Sequence, residues 1–344
     1  MARTRPCFIA VLVLSLPIAS QAQNQAPPQA EISNGPLRVK LYLPDAQTGY
    51  YRGTRFDWSG VIASLEYVGH NYYGPWFNKT DPDVIDFIFK GPDIIAGPCS
   101  AITGPVEEFS TNDKALGYDD AKPGGSFIKI GVGALRKPDD REYNPYRPYP
   151  IVDSGKRTVR TQSDSVAFTQ QLTDPFSGYA YLYTKVVRLV KGKPEMVIEH
   201  RLKNIGRRRI ETSVYDHNFL VLDHQPIGPD FVITLPFDIK TDNRFNPDLA
   251  RVQGREFTYR KVLEGRDTFE TSFSGFRHTP ADYRISIENR KQGAGMTITG
   301  DRPLSRESLW SIRSVLAMEP FIDISIDPDK EFTWSYTYSY SVAR

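Results

Sequence analysis

From about residue 37 onward, apolar and polar side chains alternate in short runs, the period of a strand with one buried face. The last run is the clearest: in Glu331–Val342, Phe332, Trp334, Tyr336, Tyr338 and Tyr340 alternate with Thr or Ser. A helix would scatter those rings around its axis, whereas a strand gathers them on one side. Tyr179, Tyr181 and Tyr183 repeat the device, and Met196, Ile198, His200 and Leu202 alternate against Val197, Glu199, Arg201 and Lys203. Similar runs at 37–43, 61–68, 126–133, 231–235, 283–289 and 323–326 predict further strands. Turn residues such as Lys191-Gly192-Lys193-Pro194 and Asn204-Ile205-Gly206 separate them at short intervals. No amphipathic helix of 12 or more residues is predicted. Ser305–Ala317 reads as a loop and then a strand, with Trp310, Ile312, Leu316 and Met318 on one face and Arg313, Val315, Ala317 and Glu319 on the other. The expected fold class is all-β, a large antiparallel β-sandwich forming one domain over 37–344. Residues 70–125, rich in Gly, Pro and Asp, read as long loops, where sites tend to sit.

The N-terminus departs from this pattern. Arg3 and Arg5 precede an apolar run, Phe8–Ile18, and Ser20-Gln21-Ala22 supplies small residues at a cleavage position, so residues 1–22 read as a signal peptide. Residues 23–36, polar and rich in Gln and Pro, read as a disordered leader. The expected location is periplasmic or secreted, with no membrane insertion once the signal is cleaved. Cleavage would leave Cys99 as the one cysteine, so the fold is expected to rest on its core and not on disulfides. The chain has 43 Lys+Arg against 41 Asp+Glu, and loss of Arg3 and Arg5 makes the two equal. A net charge near zero argues against a nucleic-acid partner. Aromatic residues make up 12% of the chain, enough for stacking on sugar rings, though most are equally explained as sheet core.

The candidate chemistry begins at Thr212–Asp223, TSVYDHNFLVLD, where His217 shares a strand face with Tyr215 and Phe219. Glu319 lies far along the chain, before Pro320. A histidine and a carboxylate can open a pyranose ring: one protonates the ring oxygen while the other takes the proton of the anomeric hydroxyl. For His217 to be the acid, a nearby carboxylate should raise its pKa, and Asp216 and Asn218 are expected on the opposite face of its strand. The pair is expected on opposite sides of one sugar-sized pocket. The competing readings are a core histidine wedged between Tyr215 and Phe219, and a structural carboxylate paired with Arg313. His200, on an apolar face, reads as core.

The segment VYDHNFLVLDHQPIGPDF, with Leu235-Pro236-Phe237-Asp238 downstream, resembles the galactose mutarotase-like superfamily, the aldose 1-epimerases. Glu319, followed by Pro328, Trp334 and Tyr336, matches the position of that family's C-terminal glutamate. The resemblance spans roughly 37–344 and implies a supersandwich fold, a carbohydrate partner, His217 as acid and Glu319 as base. The second histidine of a His-Gly-Gly-like loop is missing; Gly104–Phe109 and Lys122-Pro123-Gly124-Gly125 stand there instead. Expected substrate contacts are Arg55, whose planar fork suits hydroxyls or a carboxylate, Glu108, Lys122, Asp223 and Arg313. Glu107 and Glu108 read as hydroxyl acceptors or an exposed acidic pair, and Lys122 and Lys129 hint at an anionic sugar such as a uronate.

No cofactor is expected. No metal-ligand spacing, nucleophile elbow, phosphate loop or dinucleotide fingerprint occurs. Two alternatives share the fold: a non-catalytic carbohydrate-binding protein, and a polysaccharide lyase or glycoside hydrolase. A hydrolase would use two carboxylates, for which Glu108 and Glu319 are the best pair. A lyase would need a charge neutraliser such as Arg55 or Arg313.

Overall fold

The protein is described by a computed structural model covering Met1 and residues 26–110 and 113–343. Apart from Met1, the expected signal peptide falls outside the described residues. Two antiparallel sheets dominate. A ten-stranded sheet runs, in spatial order, through 156–161, 165–173, 180–189, 195–204, 331–342, 294–300, 284–289, 231–234, 256–259 and 250–253. A six-stranded sheet runs through 240–241, 268–274, 306–312, 315–326, 210–220 and 104–110. Among the described residues there is no α-helix, only two short 3₁₀ turns, and no helix able to cross a membrane.

The alternating runs sit where their period places them. Trp334, Tyr336, Tyr338 and Tyr340 are buried, and so are Tyr181, Tyr183, Met196, Ile198 and Leu202 on neighbouring strands. They face Phe109, Val214 and Ile322 of the smaller sheet, with the Phe109 ring 5.5 Å from that of Tyr183. Each such side chain contributes roughly 1.5–3 kcal/mol on burial, which makes the inter-sheet layer the main source of stability.

That layer is not wholly apolar. Glu107 accepts a hydrogen bond from Lys185 and pairs with His200 Nε2 at 2.6 Å, all three fully enclosed. His200 stacks on Trp334 at 4.6 Å, so it is core, as its neighbours implied, but core with an ionic partner. The Tyr338 hydroxyl is hydrogen-bonded to both Asp216 and Asn218, which point away from the His217 side of their strand. Burial pushes the Asp216 carboxyl up to about 8, with Glu107 adding to the shift.

Three expectations are corrected. The stretch 70–125 is not only loop: Gly104–Ser110 is a full edge strand beside Ile210–Leu220, and its Pro105 is tolerated because an edge leaves one row of backbone groups unpaired. Glu107 and Glu108 are consecutive on that strand and point to opposite faces, so they are neither exposed nor a pair. The leader is partly ordered, since Gln29–Ser33 pairs with Leu37–Tyr42 and buries Ile32. An edge strand gains its backbone bonds whatever its side chains, so a polar composition concealed it.

Candidate functional site

The outer face of the six-stranded sheet, away from the ten-stranded one, forms the floor of a cavity of about 550 Å³. Its floor comes from alternate residues of adjacent strands: Glu108, then Tyr215, His217 and Phe219, then Glu319 and Phe321, then Arg306, Ser308 and Trp310. Loop residues Arg55, Trp76, Asp86 and Tyr146 wall it.

His217 and Glu319 are cross-strand neighbours. The pairing of Tyr215 with Phe321 and of Asn218 with Met318 has one constant offset, which puts Glu319 directly opposite His217. Their side chains meet, Nε2 to Oε1, at 3.2 Å. Phe219 stacks on the imidazole at 3.7 Å and Phe56 meets it edge-on at 5.6 Å. These rings hold its plane and exclude water, and Nδ1 is left buried without a partner. The histidine is therefore wedged against Phe219, as the core-histidine reading expected, and also opens its other nitrogen to the cavity. The two groups sit side by side, not across the cavity. The ring oxygen and the anomeric hydroxyl of a pyranose share one carbon, so neighbouring groups can reach both.

The electrostatics run against the expected state of His217. Burial, reinforced by Arg55, holds the imidazole well below its usual range. Burial also raises Glu319, to about 7; Arg55 opposes the rise, while Glu270 and Glu108 add to it. Near neutrality the pair is an imidazole facing a carboxyl group poised to lose its proton. A carboxylate nearby does not rescue the imidazolium, because desolvation outweighs it.

Arg55 is fixed by its surroundings. Its Nε donates to Glu108 at 2.6 Å and its Nη2 to the Tyr215 hydroxyl at 3.0 Å, and it lies over the rings of Phe56 and Tyr146. Lys129 holds the other Glu108 oxygen at 2.9 Å. Although burial opposes it, these two cations hold the Glu108 carboxyl at about 2.

Four expected site residues thus line one cavity: His217, Glu319, Arg55 and Glu108. Three others lie elsewhere. Lys122 is exposed in a turn outside the cavity. Asp223 accepts from the Asn71 backbone at 2.8 Å and pairs with His70 at 2.6 Å, which fixes a left-handed turn. Arg313 sits at the tip of a hairpin and donates to the carbonyls of Gly265 and Pro92. The pairing of Glu319 with Arg313 does not occur. Lys129, engaged by Glu108 and the Phe109 carbonyl, no longer speaks for an anionic sugar.

Sequence reasoning missed Trp310, Arg306, Asp86, Arg244 and Glu270. Trp310 was expected on the face opposite Glu319 because the alternation was carried unbroken from Trp310 to Glu319, with no turn between them. The chain instead turns at Arg313–Ser314, and Ile312 pairs with Val315. A two-residue turn inverts the alternation, so Trp310 and Glu319 share a face. Arg306 lies over Phe321 at 3.7 Å and reaches Asp113 at 3.3 Å. Among the described residues no group of three or more His, Cys, Asp or Glu is arranged to hold a metal ion.

No family model matches the chain. No curated protein matches it either. Solved structures do. The Slr1438 protein of Synechocystis sp. PCC 6803 superposes with a TM-score of 0.54 at 13% identity, covering 93% of this chain and 97% of its own. A GalM/aldose epimerase homologue from C. elegans gives 0.54 at 13% identity, covering 93% and 100%. A galactose mutarotase-like protein from Lactobacillus casei ATCC 334 gives 0.51 at 11% identity, covering 91% and 100%. The chain has the galactose mutarotase-like β-sandwich fold.

Proposed function

We propose that this protein binds an aldose and interconverts its anomers, the reaction of an aldose 1-epimerase, with His217 and Glu319 carrying the protons. The observation that carries the reading is their 3.2 Å contact on the floor of a sugar-sized cavity. Fold likeness supports it only at the level of scaffold, since one scaffold hosts many functions.

The chemistry follows from the resting charges. The Glu319 carboxyl, raised to about 7, gives its proton to the ring oxygen as the bond from that oxygen to the anomeric carbon breaks. The neutral imidazole of His217 takes the proton of the anomeric hydroxyl as its C–O becomes a carbonyl. Rotation about the bond between the first two carbons then presents the other aldehyde face. Reclosure returns both protons, and the transient carboxylate–imidazolium pair is stabilised by its own contact. These roles reverse those implied by the family resemblance. Each proton carrier is worth about 10²–10⁴-fold.

Hydrolysis is less well supported. Glu108 accepts from Arg55, Lys129 and Tyr215 and is held at about 2, so it has no proton to donate to a leaving group. A lyase reading loses Arg313 as its charge neutraliser, and Arg55 is already paired. Export rests on the basic residues and apolar run of the N-terminal segment and belongs to the same proposal, with a periplasmic or secreted location. Polarimetry on freshly dissolved α-D-glucose and α-D-galactose tests the catalytic reading. No acceleration on any aldose, with binding still seen by calorimetry, would move the assignment to a carbohydrate-binding protein.

A further inference from the structure

The cavity wall carries three arginines and five carboxyl groups, and most are spent on one another. Arg55 is taken by Glu108 and Tyr215. Arg244 is taken by Asp242 at 2.7 Å and by Glu270. Arg306 is taken by Asp113 and the face of Phe321. With Glu319 turned to His217, Asp86 is the remaining carboxyl.

Asp86 is placed with care. Its φ is +62°, a left-handed conformation that few residues other than glycine and the short polar ones adopt. Its carbonyl accepts from Gly97 N–H at 2.6 Å. A Cβ on Gly97 would come within 2.0 Å of the Val84 carbonyl oxygen, so only glycine allows this approach. Ser100 donates to Oδ1 at 2.6 Å, and Oδ2 has no protein partner among the described residues. The strained turn, the glycine and the serine together fix Asp86 in the cavity wall and leave one carboxylate oxygen without a protein partner among the described residues. Backbone outliers of this kind persist where a site requires them.

We infer that Asp86 is a substrate-reading residue: its free oxygen accepts hydrogen bonds from a sugar's hydroxyls, and its charge turns away sugars bearing a carboxylate or phosphate. Ser100 is its positioning residue. The inference rests on the sugar-binding part of the proposed function and not on its catalytic part. Arg55 nearby supports the ionised form against burial, which raises this carboxyl.

The test is calorimetric titration of D-glucose, D-galactose, D-glucuronate and D-galacturonate into wild type, Asp86→Asn and Ser100→Ala. Asparagine tolerates the same backbone conformation and can keep the Ser100 contact, so the fold should persist; a melting curve checks this. Wild type should bind an aldose at least about tenfold tighter than its uronate, because juxtaposed like charges are strongly unfavourable. Asp86→Asn should weaken aldose binding by about tenfold, through loss of a charge-assisted bond, and narrow the aldose–uronate ratio. Ser100→Ala should weaken all ligands and leave that ratio in place. Uronates bound as tightly as aldoses by wild type, an unchanged ratio in Asp86→Asn, or no sugar bound at all would overturn the inference. A flat polarimetric trace beside the expected binding pattern would sink only the epimerase reading.

Discussion

Replacing Glu319 with glutamine changes little in shape and removes one proton. The side chain is 17% exposed and fills the same space, and the amide can still hydrogen-bond His217 Nε2. What it cannot do is protonate a ring oxygen. The expected loss is about 10²–10⁴-fold, or about 2.7–5.4 kcal/mol at about 1.36 kcal/mol per decade. The wild-type pH profile supplies the sign. With Glu319 titrating at about 7, the active acid form is half populated there. Above that pH the accelerated rate should fall about tenfold per unit. The assay is polarimetry of α-D-glucose and α-D-galactose between pH 6 and 9, with the spontaneous rate subtracted. Loss of activity should not reflect unfolding. A carboxyl raised in the folded state contributes stability that is fully present below its unfolded pKa and lost as pH rises through about 7. The glutamine variant should therefore be at least as stable as wild type at pH 8. His217→Asn should cost a similar factor, and the double variant little more than the worse single one, because the two act as a unit. An acceleration that rises through pH 7 would refute the assigned roles, and a glutamine variant within threefold of wild type would refute the mechanism.

Lys185→Met leaves Glu107 enclosed with one partner fewer and should cost on the order of 3–5 kcal/mol in chemical denaturation, since breaking a buried ion pair strands a charge; a loss under 1 kcal/mol would contradict that reading. Asp216, raised to about 8, holds a proton in the folded state that the unfolded chain releases near pH 4, so wild-type stability should decline between pH 5 and 8 by up to about 1.36 kcal/mol per unit from this group. Asp216→Asn should flatten that slope, as urea midpoints across the range would reveal. Lys122→Ala and Arg313→Ala should leave sugar affinity and mutarotation rates within about twofold of wild type; a tenfold loss from Lys122→Ala would mean that the site extends to its turn.

The same burial that makes the interior of this sandwich hold Glu107, Lys185 and His200 as a paired group leaves the cavity pair unpaired in charge. Glu107 is held at about 2, with Lys185 and then His200 outweighing its burial. Among the described residues no Lys or Arg is in contact with Glu319, so burial prevails and its carboxyl rises. Two carboxyl groups of one sheet thus settle far apart, one at about 2 and fully ionised, the other at about 7 and poised to titrate, which separates the structural one from the one able to move a proton.

The period-2 runs determined by themselves that the chain is all-β and which face of the long strands of the ten-stranded sheet is buried, because side-chain alternation along a strand is local geometry. Trp334 to Tyr340 went inward, and Asp216 and Asn218 turned away from His217, as that geometry requires. The sequence, read with the family resemblance, also singled out His217, Glu319, Arg55 and Glu108, along with Lys122, Asp223 and Arg313, which the fold places outside the cavity. Pairing and register were not visible in it. That Glu319 stands opposite His217, and that a two-residue turn brings Trp310 to the same face, depends on contacts between strands that no local pattern encodes. Polar edge strands such as Gln29–Ser33 and Gly104–Ser110 escaped notice because backbone hydrogen bonds form without an apolar signature. Protonation was beyond the sequence for a further reason: pKa values follow from burial and from charges brought within a few ångströms. Only the folded chain sets Arg55 and Glu108 near His217, anchors Glu108 with Lys129, and leaves Glu319 without a cation in contact among the described residues.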